Sequence, residues 1–288
     1  MLYKSADDFV RSPRRAVTVF GMAGVGKTRL SNTLRASNWF HYSADYRIGT
    51  RYMGEFIVDN FKHEAMKVPF LAELLRSDSI YISSNITFDN LDPLSSYLGR
   101  PGNADQGGLP LAEYQRRQEQ HRVAEIEALK DVPHFIERAK ALYGYDDLIV
   151  DTGGSLIEVI DPTDPNDPVV ATLTASTALL YIRGAGKDAS ELVRRFKQSP
   201  KPIYYPPAFL VEKWAEYKQL NGLIEDCEVD PDGFGAWGFE ALLHHRLPRY
   251  QALADNFGYV VEASDLAMVR DGDEFVDLMA AAIEKRMR

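Results

Sequence analysis

Short apolar runs alternate with segments of helical periodicity along this chain. The apolar runs mostly lack polar alternation, which is typical of strands in a parallel sheet that is buried on both faces. Five runs are predicted to be strands: residues 16–20, 39–42, 148–150, 178–182 and 258–261. Patterns with helical spacing lie at 188–198, 208–220 and 273–286. This alternation predicts a three-layer α/β fold around a five-stranded parallel sheet.

The segment 46–146 interrupts the alternation. It is too long for a simple crossover, and it contains a helix-like stretch at 64–76 and a polar helix at 112–130. We therefore expect a core of residues 1–45 and 147–288, with 46–146 inserted as a mainly helical subdomain for substrate or partner binding. Most charges of 112–130 are interpreted as a solvated face with i,i+3 ion pairs, and an arginine-lined substrate surface is the alternative.

A glycine-rich loop carries the strongest chemical signal. It lies between the first predicted strand and a helical pattern, and it matches the Walker A pattern G-x-x-x-x-G-K-[ST] at every fixed position. Its residues are Gly21, Met22, Ala23, Gly24, Val25, Gly26, Lys27 and Thr28. Glycines let backbone N–H groups surround an anion, and the helix N-terminus adds its own N–H groups and positive dipole end. We expect Lys27 to reach the β and γ phosphates, Thr28 to ligate Mg²⁺, and the loop with the adjoining Arg29 to bind ATP.

Charge and composition narrow the classes of partner. The net charge of −9 disfavours a nucleic-acid backbone as the main partner. The single cysteine, Cys227, excludes an intramolecular disulfide, and no apolar run is long enough to span a bilayer. Because the first eight residues lack an apolar signal region, we expect a cytoplasmic protein without a membrane partner.

Further motifs follow the loop in chain order. Ser43-Ala44-Asp45 comes after the second predicted strand, and Asp151-Thr152-Gly153-Gly154 ends the third. Arg246-Leu247-Pro248-Arg249-Tyr250 precedes the last strand. With the loop, these segments resemble the shikimate kinase family of P-loop kinases, in the wider nucleoside-monophosphate-kinase-like group. The resemblance covers residues 13–45 and 147–286 and implies a P-loop NTPase fold, but the larger insert argues against shikimate as the substrate.

The resemblance assigns roles on the acceptor side. Asp45 matches the second carboxylate of the family's Asp-x-Asp, which holds the Mg²⁺ shell and the acceptor hydroxyl, whereas Ser43 replaces the first. Gly153 and Gly154 match two of three glycines whose backbone N–H groups hold substrate. Arg246 matches the arginine that binds the substrate carboxylate.

The resemblance also implies a lid at about 187–205. Arg194 matches one lid arginine, and Lys201 stands where the family has the arginine of an Arg-Pro pair. Lysine offers a point charge instead of a rigid fork. Ser264, after the last strand, falls where related kinases close over adenine, which is placement by analogy.

The residues themselves suggest a metal site and an anion site. Asp151 fits a Walker-B carboxylate that holds Mg²⁺ with Thr28 and Asp45, and an Asx turn before the glycines is the alternative. Asp45 is predicted to be the base that accepts the acceptor's proton, with a turn or capping role as the alternative. Arg47 and Arg51 fit either a grip on an anionic acceptor group or solvated ion pairs.

These observations predict an ATP-dependent kinase that transfers the γ-phosphate to a hydroxyl of a small anionic metabolite. Lys27, Asp45, Arg194 and Lys201 are the predicted catalytic residues, with ATP and Mg²⁺ as cofactors. An ATPase or nucleotide-driven switch acting on a protein partner is the main alternative. Departures from the family pattern suggest a third class, a nucleotide-binding protein without transferase activity. His41 is interpreted as a packed strand residue.

Overall fold

The computed structural model of the protein describes residues 2–184, 192–194, 196 and 203–288. The sheet in this part of the chain is built from β1 (Ala16–Phe20), β2 (Trp39–Ser43), β3 (Asp147–Asp151), β4 (Ala178–Arg183) and β5 (Gly258–Glu262). All its strands are parallel, in the order β2-β3-β1-β4-β5. Each strand contains one predicted apolar run, so the α/β class and the five-stranded parallel sheet are confirmed.

β1 is the central strand of the sheet. Val17 lies beside Ile149 of β3 on one side and beside Ala178 of β4 on the other. The hydroxyl of Thr18 is buried, and it forms a 2.8 Å hydrogen bond with the hydroxyl of Thr177 that compensates for its burial. The chain leaves β1 toward β2 at one edge and leaves β4 toward β5 at the other. The loop after β1 therefore lies where connections diverge, the usual ligand position in open parallel sheets.

The predicted helical patterns 112–130, 208–220 and 273–286 each lie in a helix, whereas several other described helices were not predicted. None of the described helices combines the length and apolar composition needed to cross a membrane. In chain order they are α1 (Ala6–Val10), α2 (Lys27–Ala36), α3 (Ala44–Arg47), a π-helical turn (Ile48–Tyr52), α4 (Gly54–Met66), α5 (Pro69–Arg76), α6 (Asp92–Leu98), α7 (Leu111–Lys130), α8 (Val132–Tyr143), α9 (Pro168–Ser176), α10 (Pro207–Asn221), α11 (Pro231–Phe257), α12 (Ala263–Leu266) and α13 (Gly272–Met287). The predicted helix 188–198 lies only partly within the described residues.

The predicted helical stretch 64–76 is two helices, α4 and α5. Pro69 occupies the first turn of α5, where its missing N–H costs nothing. The residue before a proline is pushed out of the helical region, and Val68 accordingly has φ −99° and ψ 110°. The apolar periodicity continues across this break, which is why the pattern alone does not reveal it.

The chain divides into two compact units. The first comprises the described residues of 2–44, 125–196 and 236–288, and the second comprises 45–124 and 203–235. These boundaries do not coincide with those of the expected insert, because 125–146 groups with the sheet and the segment after 203 groups with the second unit.

Specific contacts explain both differences. In the first unit, the ring of Phe135 in α8 stacks on Phe40 of β2, with centroids 6.4 Å apart. In the second unit, the hydroxyl of Tyr114 donates to the carbonyl oxygen of Ile203 at 2.7 Å. Contacts of this kind join residues that are far apart in sequence, and they determine which segments share a core. The order of elements along the chain does not predict these contacts.

Candidate functional site

The loop after β1 has a backbone that requires glycine. Gly21, Gly24 and Gly26 have φ values of 140°, 80° and 103°, which side chains disfavour. A Cβ atom on Gly21 would also lie 2.6 Å from the carbonyl oxygen of Ile182 in β4. Two of these positions are fixed glycines of the predicted phosphate-binding pattern, so its sequence requirement has a direct structural cause.

The N-terminus of α2 follows the loop directly. Gly26 is the N-cap residue, and no side chain caps the helix at this end. The first N–H groups of a helix lack partners within the helix, and here they adjoin the glycine-rich backbone. Uncapped N–H groups and a positive dipole end suit an anion such as phosphate.

Lys27 holds the loop from inside. Its ammonium group donates to the carbonyl oxygens of Gly21 and Met22 at 2.8 Å and 2.9 Å. The residue is only 8% exposed, so a buried positive charge lies within the curve of the loop. A phosphate bound here would be a stronger acceptor for this ammonium than a neutral carbonyl.

Thr28 in the first turn of α2 contacts Asp151 at the end of β3. The Thr28 hydroxyl donates to Oδ2 of Asp151 at 3.0 Å, although 123 residues separate them in sequence. Asp151 ends β3, lies beside Val19 of β1 and Ser43 of β2, and is 8% exposed. The carboxylate of Asp151 is therefore directed at the start of α2, beside the glycine-rich loop.

His41 lies in the same corner of the first unit. Its Nε2 atom is 3.8 Å from Oδ2 of Asp151, and its side chain is 1% exposed. Sequence reasoning missed this proximity, although the alternation of side chains along β2 places His41 on the same face as Ser43.

The loop after β3 also reaches the glycine-rich loop after β1. A Cβ atom on Gly154 would lie 3.8 Å from the backbone nitrogen of Ala23 and 3.4 Å from Nη1 of Arg246. The Tyr250 hydroxyl donates to the carbonyl oxygen of Gly154. The adjoining Gly153 accepts a hydrogen bond of 3.4 Å from the backbone of Leu156. The structure therefore brings Gly154 and Arg246 together beside the loop.

Arg246 already has an acidic partner in Glu158. Its Nε atom donates to Oε1 of Glu158 at 3.0 Å, and the two side chains are 9% and 1% exposed. Nδ1 of His245 lies 3.3 Å from the same carboxylate oxygen. Burial raises the pKa of the neighbouring Tyr250, and the positive charge of Arg246 opposes this shift. Sequence reasoning missed Glu158, which stands in no recognisable motif.

The predicted acceptor-side residues near position 45 belong to the second unit. Asp45 and Arg47 lie in α3, directly after β2, and Arg51 lies in the π-helical turn. The Arg47 guanidinium is 5.6 Å from the centre of the Tyr52 ring, a cation–π contact. Arg51 is exposed. The predicted roles of these residues remain predictions.

The remaining predicted nucleotide-binding residues are dispersed. Arg29 in α2 donates to the carbonyl oxygen of Ala267 at 2.9 Å, which connects α2 to the segment after β5. Ser264 lies in α12 within that region. Arg194 is helical and exposed, whereas Lys201 lies outside the described residues.

Comparison with known proteins does not extend this description. No protein-family model matches the chain. A search of curated proteins also gave no match. The functional assignment therefore depends on the geometry above.

Proposed function

We propose that this protein is a P-loop NTPase of the shikimate-kinase-like group that transfers the γ-phosphate of ATP to a hydroxyl of a small metabolite. The observation that carries the proposal is the hydrogen bond from Thr28 to Asp151 at the start of α2, beside a loop of left-handed glycines. It supports the proposal because a loop suited to an anion, a hydroxyl and a carboxylate lie together in one unit of the chain.

The donor set fits Mg²⁺, which prefers hard oxygen ligands. Thr28 gives its proton to Asp151, so the lone pairs of its hydroxyl oxygen are left for a cation. Asp151 supplies a carboxylate for the same region, directly or through water. Thr28 and Asp151 would hold Mg²⁺ here, and the cation would neutralise negative charge that develops during phosphoryl transfer.

Lys27 supplies the fixed positive charge of the nucleotide site. In the structure its ammonium donates to two loop carbonyl oxygens and so supports the shape of the loop. Exchange of these carbonyls for phosphate oxygens replaces neutral acceptors with charged ones, which strengthens each hydrogen bond. We assign further neutralisation of the transferred group to Arg194 and Lys201.

On the acceptor side we assign Asp45 as the base, with Gly153 and Gly154 as backbone donors. Arg47 and Arg51 would bind an anionic group of the acceptor. Arg246 differs from them, since its Nε atom is engaged by Glu158. We assign Arg246 to an acceptor carboxylate, as the family resemblance implies.

A nucleotide-driven switch is the second candidate. The separate compact unit of residues 45–124 and 203–235 favours it, because such a unit can present a surface to a protein partner. The two candidates differ in the fate of the phosphoryl group: a kinase passes it to a metabolite, whereas a switch releases it to water.

A labelling experiment separates these candidates. Wild type, Asp45→Asn and a control, Asp59→Asn, are incubated with γ-labelled ATP, Mg²⁺ and fractions of a metabolite extract. Asp59 belongs to the same unit, and its side chain is 71% exposed. We expect a labelled small molecule from wild type and from the control, and none from Asp45→Asn. Equal release of free phosphate by all three, without a labelled metabolite, would support the switch.

A further inference from the structure

His41 shares a face of the sheet with the proposed metal carboxylate. Ser43 pairs with Asp151, and His41 pairs with Ile149, two positions earlier on both strands. Residues two apart on a strand project to the same side, so His41 and Asp151 do so as well. The 3.8 Å separation between Nε2 and Oδ2 follows from this register.

His41 is a polar residue in a buried position. Its side chain is 1% exposed, and a buried imidazole needs polar partners that leucine at the same place would not need. Packing alone therefore does not explain the residue type.

We propose that His41 is a positioning residue that fixes the orientation of Asp151 for Mg²⁺. This inference rests on the proposed function, since it presupposes a cation beside Thr28. The terminal torsion of an aspartate is soft, and one hydrogen bond from Thr28 leaves rotation about that bond. In the tautomer protonated at Nε2, the imidazole directs its N–H dipole at the same oxygen. Oδ2 is then held from two sides, which fixes the orientation of the carboxylate toward the cation.

Outer groups of this kind tune metal affinity in proteins. Loss of a group that orients a metal ligand typically weakens metal binding by about tenfold to a hundredfold. The same loss should leave nucleotide binding without metal unchanged, because the loop N–H groups and Lys27 do not depend on Asp151.

The test uses Mn²⁺ as a paramagnetic substitute for Mg²⁺ and a non-hydrolysable ATP analogue. Electron paramagnetic resonance gives the dissociation constant of Mn²⁺ from the protein–analogue complex. We expect this constant to rise about tenfold in His41→Leu and to recover in His41→Gln, whose amide N–H can reach the Nε2 position. His134→Leu, the same substitution at an exposed position of α8, should leave it unchanged.

A double-mutant cycle makes the test specific. In an Asp151→Asn background, His41→Leu should weaken Mn²⁺ binding no further, because the carboxylate it orients is gone. An unchanged constant in His41→Leu, or a full additional loss in the Asp151→Asn background, would overturn the inference. Weaker binding of the analogue by His41→Leu in EDTA would also overturn the inference, because it would indicate a general structural role. If His41→Leu does not fold, His41→Phe, which keeps an aromatic ring without the N–H group, carries the test with the same expected rise. A wild type that binds no analogue contradicts the proposed function instead.

Discussion

Removal of Arg246 should destabilise the protein strongly, whatever its role toward a substrate. Arg246→Ala leaves the carboxylate of Glu158 without its guanidinium, and that side chain is 1% exposed. Loss of one partner from a buried ion pair costs about 3–5 kcal/mol. Because 1 kcal/mol corresponds to roughly 2–4 °C of Tm in domains of about this size, Tm should fall by on the order of 10 °C.

Urea unfolding at pH 7 measures this cost, and an exposed pair on α7 provides the control. Arg122 and Glu119 are also in contact, at 2.7 Å, but their side chains are 37% and 51% exposed. Arg122→Ala should therefore cost less than about 1 kcal/mol. A double variant, Arg246→Met with Glu158→Leu, should lose less than Arg246→Ala alone, since no charge is left buried. If Arg246→Ala lowers the free energy of unfolding no more than Arg122→Ala does, the reasoning is refuted. Arg246 would then serve ligand binding and not stability.

Three further predictions concern the loop, the cation and pH. Gly21→Ala should lower Tm more than Gly144→Ala, because both have positive φ but only the first Cβ meets a backbone oxygen, at 2.6 Å; equal changes would contradict the clash. Thr28→Val should abolish the Mg²⁺ dependence of ATP binding and Thr28→Ser should preserve it, as titration calorimetry with and without Mg²⁺ would show. Arg116 lowers the pKa of Glu113 to about 2 from 4.5. A lowered native pKa stabilises the fold above pH 4.5, and this stability is lost as pH falls toward 2. Wild type should therefore lose stability more steeply than Glu113→Gln over that interval, and parallel curves would contradict the assignment.

The sequence predicted the sheet well because its strands are buried on both faces. A run such as 178–182 must be apolar throughout, and the observed β4, Ala178–Arg183, extends it by one residue. Patterns are weaker where packing is non-local. The grouping of α8 with the sheet, for example, depends on the contact of Phe135 with Phe40. The break between α4 and α5 has a local cause instead, Pro69, which the apolar periodicity alone does not reveal.

Some features of the candidate site were also predicted from the sequence, and others were not. The Gly21–Thr28 motif predicted the glycine conformations, because the pattern encodes the backbone itself. The carboxylate at Asp151 was predicted from its place at a strand end. Glu158 was not predicted, since its partner Arg246 is 88 positions away and neither position shows the pairing. His41 is a buried residue of β2, as the sequence indicated, but its proximity to Asp151 was not predicted because Asp151 lies on another strand.

Equilibrium binding of ATP with Mg²⁺, measured by calorimetry on wild type and Lys27→Ala, tests the central claim most directly. We predict one ATP bound per chain by wild type. The variant should bind at least about tenfold more weakly, since it lacks a charged donor worth about 1.5–3 kcal/mol. Absence of binding to wild type, or equal affinity in the two proteins, would contradict the assignment of residues 21–28 as a nucleotide site.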